Sequence, residues 1–335
     1  MKKLLLKENY KSKLNLLETE IAIKFVKDNF ERILAEKLSL TRVSAPLFVQ
    51  PKTGLNDNLN GYERAVRFDI LDLRKDVEIV QSLAKWKRMA LSKYKFPFET
   101  GLYTDMNAIR RDEELDNIHS VYVDQWDWER SIKDDERNLD YLKKVVSSIY
   151  EVMKETEGLV NKKYPVLEKK LPEEITFISS EELLNMYPTL NSKERENAAC
   201  KKYKAIFIYQ IGWPLSNGQS HDGRAADYDD WNLNGDILVW FNTLEIALEL
   251  SSMGIRVDDK SLLKQLEHKD EMDKIYNPYV KGVINNELPL TIGGGIGQSR
   301  LCMFFLEKAH IGEVQSSIWS EEDIELLEKH NIHLL

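Results

Sequence analysis

Carboxylates, an amide and guanidinium groups set among bulky apolar residues are the side chains of this sequence best suited to chemistry. The segment HSVYVDQWDWE alternates, with Val121, Val123, Gln125, Asp127 and Glu129 on one face and Tyr122, Trp126 and Trp128 on the other. Amides and carboxylates are costly to bury without partners, so the first face either lines a ligand cavity or lies along a wet sheet edge. The preceding strand ends in AIRRDEE, where Arg110 and Arg111 are followed by Asp112, Glu113 and Glu114. Such a run is a solvated hairpin tip, or a loop that clamps a phosphate with arginine. Ser82 suits the N-cap of a helix reaching Tyr94, in which Leu83, Trp86, Ala90 and Leu91 form an apolar stripe. Lys87 lies beside that stripe, where its ammonium either snorkels to water or enters a carboxylate site, whereas Lys85 reads as surface.

Acidic residues gather in DYDDWNLNGD, from Asp227 to Asp236, and Glu249 follows on the next strand. For Asp227 to Asp230 a solvated acidic loop is the alternative. Asp236 and Glu249 adjoin apolar strands and suit Mg2+, a hard cation that shares oxygen ligands with nucleotide phosphates. The stretch GGGIGQSR, from Gly293 to Arg300, matches neither the dinucleotide fingerprint nor the phosphate loop that ends in Lys-Ser/Thr. It reads as a glycine-rich turn, serving either a ligand and Arg300 or only a tight passage from strand to helix.

These groups need a frame. Ala22, Ile23, Val26, Phe30, Ile33 and Leu34 recur at helical spacing, and the chain then turns through Leu40 into an extended stretch ending at Pro46. Val66, Phe68 and Ile70, then Val77 to Val80, predict two strands before the Ser82 helix. GLYTDMNAIR and HSVYVDQWDWE predict an antiparallel hairpin. A helix is expected over about 138–156, a capping box opens SSEELLNMY at Ser179, and KAIFIYQIG, DILVWF and EIALELSSMGIRV read as strands. LCMFFL reads as a buried helix. Consecutive strands favour an α+β fold, a largely antiparallel sheet flanked by helices, over a doubly wound one. No repeat or linker divides residues 1–335, so a single domain is expected.

The 335 residues are 42% hydrophobic and 31% charged, as in a folded soluble protein. With 47 Lys+Arg against 56 Asp+Glu the formal charge is -9, which disfavours a nucleic-acid partner but not a small anion. The two cysteines, Cys200 and Cys302, form no disulfide or metal pattern and fit a reducing cytoplasm. MKKLLLKENYKSKL does not read as a signal peptide, and no apolar run is long enough to cross a membrane.

Helix and strand ending at Pro46, arginine-bearing hairpin, glutamate-bearing strand, then glycine-rich stretch with arginine at a helix: this order resembles the catalytic domain of class II aminoacyl-tRNA synthetases. Pro46, Arg110 and Arg300 stand at its three motif positions. SLAKWKR, HSVYVDQWDWE, LNGDILVW, ELSSMGIRVD and TIGGGIGQSR resemble, over nearly the whole chain, the ammonia-dependent aspartate ligases of the asparagine synthetase A family. The resemblance implies an enzyme of asparagine biosynthesis that uses ATP and Mg2+, converts aspartate to β-aspartyl-AMP and lets ammonia displace AMP. It also implies a cytoplasmic homodimer that needs no nucleic acid. By the same resemblance Arg110 holds the α-phosphate and the reacting carboxylate, Arg300 packs on adenine, and Glu113, Ser252, Arg256 and Gly295 complete the nucleotide site. Asp236 and Glu249 would hold metal. Lys87, Gln125 and Asp127 match the aspartate pocket, with Asp57, Ser82, Asp229 and Ser251 as further contributors. The chain departs from the family in the short Trp231-Asn232-Leu233 connection and in IGWPLSNGQSHDG before Arg224, both beside Asp229.

Glutamine as nitrogen donor would need a nucleophilic cysteine, but Lys2 follows Met1 and neither cysteine is well placed, so free ammonia is expected. Two other readings are an RNA-dependent synthetase paralogue and a non-catalytic sensor of aspartate or asparagine. The acidic charge and lack of a recognisable anticodon-binding module weigh against the first. Retention of Arg110, Glu249 and Arg300 weighs against the second.

Overall fold

The alternation seen in the sequence becomes two sheets in the computed structural model, which describes residues 4–57, 59 and 63–335. Lys2 lies outside the described residues. The strands among them are β1 Leu40–Arg42, β2 Phe48–Val49, β3 Arg67–Ile70, β4 Lys75–Ile79, β5 Gly101–Ile109, β6 Tyr122–Ser131, β7 Thr176–Ser179, β8 Ala205–Tyr209, β9 Asp229–Phe241, β10 Ile246–Arg256 and β11 Thr291–Gly297. The α-helices are α1 Leu16–Leu38, α2 Ala84–Tyr94, α3 Leu139–Lys163, α4 Ser180–Met186, α5 Ser192–Tyr203, α6 Asp259–His268, α7 Pro278–Ile284, α8 Gln298–Phe305 and α9 Glu321–Lys329.

The large sheet has the order β1-β5-β6-β11-β10-β9-β8-β7, and β2-β4-β3 form a small one. Its inner pairs are antiparallel, and only the outermost pairs, β1 with β5 and β7 with β8, are parallel. The fold is thus α+β with a largely antiparallel sheet. The apolar half of each alternation faces helices: Trp126 and Trp128 of β6 and Val239 and Phe241 of β9 join Val26 and Phe30 of α1, Val146 of α3 and Phe304 of α8 in one core. Phe30 stacks on Trp126 with ring centroids 4.8 Å apart. The capping box expected at Ser179 opens α4, and another between Asn15 and Glu18 opens α1.

On the other side of β6, Glu129 is completely buried and meets Arg256 at the end of β10, with Nη2 to Oε2 at 2.7 Å and Nε to Oε1 at 3.1 Å. Arg256 Nη1 donates to Asp229, and Thr291 Oγ1 donates to Glu129 at 2.6 Å. Burial pushes the Glu129 carboxyl up, but Arg256 outweighs it and holds the group below its ordinary range. The group ties β6, β9, β10 and β11 together.

Four expectations are corrected here. The glycine-rich segment is not a turn but the central strand β11, and it becomes helical only at Gln298. The acidic stretch is not a solvated loop, since β9 begins at Asp229 and Asp227, Asp229 and Asp230 are buried against Lys85, Arg256 and Arg137 respectively. Lys85 is therefore not surface. Ser82 is not the N-cap of α2, which is Leu83; it lies one residue ahead of the cap, and its hydroxyl accepts the Ala84 N–H at 3.2 Å.

Replacing Arg256 with alanine strands two carboxylates in the interior and should cost about 3–5 kcal/mol of stability, measured by urea unfolding. A loss below about 1 kcal/mol would mean that the carboxylates find water and are not held as described.

Candidate functional site

Side chains crossing β11 build the floor of the site. Gly293, Gly295 and Gly297 stand opposite Glu129, Asp127 and Gln125 in the β6–β11 register. A Cβ at Gly295 would collide with Gln125 Oε1 and sit 3.0 Å from Asp127 Oδ1, and one at Gly293 would collide with the Glu129 carboxylate. Glycine there gives the polar face of β6 room to lie over the strand.

Above this floor lies a cavity of about 620 Å3 lined by Arg110, Glu113, Gln125, Glu249, Ser251, Ser252, Gly295 and Arg300. The two arginines that the sequence places far apart therefore face one space. Arg110 projects from the end of the β5–β6 hairpin, 3.8 Å from Glu113, and its buried Nε has no partner. Arg300 stands on the first turn of α8, where Nε donates to the Ile118 carbonyl at 3.3 Å and Nη1 to the Glu249 carbonyl at 3.2 Å. The register of β10 against β9 slips between Glu249 and Ser251. Through this irregularity consecutive residues from Glu249 to Ser252 line the cavity, which strict alternation forbids.

Lys87 does not snorkel. Its ammonium, 1% exposed, donates to Asp127 Oδ1 at 2.7 Å and to the Gly294 carbonyl at 2.9 Å. Burial pulls its pKa below that of an ordinary lysine despite the attraction of Asp127. Asp127 Oδ2 and Ser251 Oγ are buried without protein partners, and Gln125 completes the corner. Unpaired buried acceptors beside a cavity are the mark of a polar ligand's seat.

Asp57 and Lys85 line a neighbouring cavity of about 810 Å3, which shares Arg224, Glu63 and Ala225 with the first. The Asp57 carboxyl, with Oδ2 unpartnered, is pushed up to about 6, mainly by burial and against the pull of Lys85. Ser82, Asp229 and Arg256 line neither cavity. Asp229 and Arg256 are engaged with each other.

Asp236 and Glu249 stand on adjacent strands and repel each other. Asp236 is pushed up to about 6 by burial first, with Arg224 opposing and Glu249 adding to the rise. Burial also raises Glu249, but Arg300, Lys193 and Arg224 hold it below its ordinary value. Asp236 Oδ1 is buried with no partner. Two hard donors with a free oxygen fit a divalent cation shared with phosphates, and no three His, Cys, Asp or Glu among the described residues form a closed cage.

Arg224, Asp222 and Lys193 also border the cavity, and sequence patterns did not single them out. Arg224 donates to Asp236 and, at 3.0 Å, to Asp222. It lies in an irregular segment, without periodicity to mark it. The signal available was an arginine close before the acidic stretch.

A sequence model of the family described as aspartate-ammonia ligase matches residues 17–331. The aspartate–ammonia ligase of Clostridium perfringens is 58% identical over 336 residues, covering 100% of both chains. That of Fusobacterium nucleatum is 61% identical over 326 residues, covering 97% of this chain and 99% of its own. Among solved structures, the asparaginyl-tRNA synthetase of Pyrococcus horikoshii complexed with asparaginyl-adenylate superposes with a TM-score of 0.67 at 17% identity, covering 90% of this chain and 70% of that one. The aspartyl-tRNA synthetase of Entamoeba histolytica gives 0.60 at 16% identity, covering 89% and 58%. These two likenesses establish a class II synthetase-like fold. The near full-length identity to the ligases goes further, and the chain belongs to the aspartate–ammonia ligase family.

Proposed function

We propose that the cavity joins aspartate to ammonia with ATP, giving asparagine, AMP and pyrophosphate, and that residues 1–335 act as one catalytic domain. The observation that carries this assignment is the convergence of Arg110, Arg300 and Glu249 on the cavity that Gln125 lines beside the Lys87–Asp127 pair. Arg110 holds the α-phosphate and the reacting carboxylate, and Arg300 packs on adenine, with Glu113, Ser252 and Gly295 completing the nucleotide's surroundings. Lys87, Asp127, Gln125 and Ser251 orient aspartate.

A side-chain carboxylate resists ammonia because oxide is a poor leaving group. Its oxygen attacks the α-phosphorus, the bond to the bridging oxygen breaks, and pyrophosphate departs with the electron pair. Asp236 and Glu249 would hold Mg2+, which when bound would supply charge neutralisation on the phosphates. Arg110 offsets the charge that builds on the α-phosphate. Ammonium is attracted to Asp57, which is ionised above about 6 and can then take its proton. The neutral ammonia forms a bond to the acyl carbon, the carbon–oxygen bond to AMP breaks with its electron pair leaving on AMP, and the extra proton on the new nitrogen is released to solvent.

A cytoplasmic homodimer working without nucleic acid belongs to the same reading. Leu17 and Ile21, one turn apart on α1 and 71% and 51% exposed, offer apolar surface to a second copy. The net charge of -9 opposes RNA. Among the described residues no helix is long and apolar enough to cross a membrane.

Purified protein given aspartate, MgATP and ammonium should form asparagine, AMP and pyrophosphate in equal amounts without tRNA; ADP as product would exclude the adenylate route. Arg110→Ala or Arg300→Ala should lower turnover about a hundredfold or more with unfolding unchanged. Asp57→Asn should retain aspartate-dependent ATP–pyrophosphate exchange and lose asparagine formation. In the unmodified chain, asparagine formation should decline as pH falls through about 6, where Asp57 gains its proton. Full asparagine synthesis by the Asp57→Asn variant would remove this residue from the ammonia step.

A further inference from the structure

The side-chain contacts proposed above account for adenine and the α-phosphate, whereas the departing pyrophosphate is met only by the cation that Asp236 and Glu249 would hold. Glu249 and Asp222 place two carboxylates on the cavity wall, and Arg224 beside them is already shared between Asp222 and Asp236. A polyanion moving along such a wall is repelled unless another cation meets it.

Lys193 stands at this edge. It sits near the N-terminal end of α5 and lines the same cavity, with its side chain largely exposed. Its ammonium lies 2.9 Å from Glu196 Oε2, one helical turn further on. Glu196 is itself buried, and its other oxygen lies 3.1 Å from Nε2 of His221, a ring 3% exposed on the segment leading to Asp222. The lysine is therefore aimed from below by a buried carboxylate and a buried ring, a device that a merely solvating surface lysine does not need. The side chain is open to solvent along much of its length but borders the cavity wall; that partial burial opposes its charge, and Glu196, Glu249 and Asp222 together outweigh it and hold its pKa above the usual lysine value.

We propose that Lys193 binds the pyrophosphate end of ATP and of the leaving group, and that Glu196, anchored on His221, is its positioning residue. This role rests on the ATP-dependent reading of the cavity. It adds a third cation to the Arg110 and Arg300 pair, placed where charge departs rather than where the new bond forms.

Aspartate-dependent exchange of labelled pyrophosphate into ATP, run on the full chain with Mg2+ and without ammonium, separates the possibilities. Lys193→Met should raise the KM for pyrophosphate about tenfold, the loss of one charge-assisted contact, and leave the KM for aspartate within about twofold. Lys193→Arg should recover most of the affinity, and Glu196→Gln should shift the pyrophosphate KM in the same direction by a smaller factor. A Lys193→Met enzyme whose pyrophosphate KM is unchanged, or whose aspartate KM rises equally, overturns the assignment. Absence of exchange in the unmodified chain overturns the ATP-dependent reading as well, so the two failures are distinct.

Discussion

A strand of glycines runs through the middle of the large sheet because its neighbours' polar side chains have to lie across it. Any Cβ at Gly293 or Gly295 would occupy the space held by Glu129, Gln125 and Asp127. This exclusion sets the floor of the cavity and the depth of the Lys87–Asp127 pair. It also sets the position of the Glu129–Arg256–Asp229 group that binds four strands. A buried carboxylate is tolerated only with a matching cation, so the polar face of β6 is workable because Lys87 and Arg256 reach it from α2 and β10.

The same logic divides the charged residues by task. Arg256 and Lys85 are engaged with buried acids and hold elements together. Arg110 and Arg300 make only long or carbonyl contacts, and they face open space. Guanidinium groups with spare donors in a cavity are free to meet phosphate, whereas those already satisfied act on the site through the residues they fix. Asp127 Oδ2, Ser251 Oγ and Asp236 Oδ1, buried and unpartnered, mark the complementary places where a ligand or cation completes the bonding.

Periodicity carried much of the architecture. The helix around Val26 and Phe30, the hairpin of β5 and β6, the capping box at Ser179 and the strands β8 to β10 are all local patterns. They appear where alternation or helical spacing predicts them. What periodicity does not encode is the partner of a side chain. Lys85 reads as surface on its own helix because Asp227, which buries it, lies 142 residues away. The glycine segment reads as a turn because glycine is ordinarily a breaker of strands, and the reason for it resides in Gln125 and Glu129 on another strand. Likewise the slip in β10 that brings Glu249 to Ser252 onto one wall leaves no trace in an alternating sequence. Arg110, Gln125, Glu249, Ser251 and Arg300 were legible through family resemblance. Arg224 and Lys193 emerge only when the chain is folded.

In the proposed reaction the hairpin arginine, the α8 arginine and the Lys87–Asp127 corner surround one bent aspartyl nucleotide. The most direct measurement is a crystal structure with a non-hydrolysable aspartyl-adenylate analogue. Arg110 should lie within hydrogen-bond distance of the phosphate mimic, Arg300 on adenine, and the amino-acid moiety against Lys87, Gln125 and Asp127. An analogue bound with either arginine turned to another space, or seated only in the cavity around Asp57 and Asp227, would contradict this arrangement.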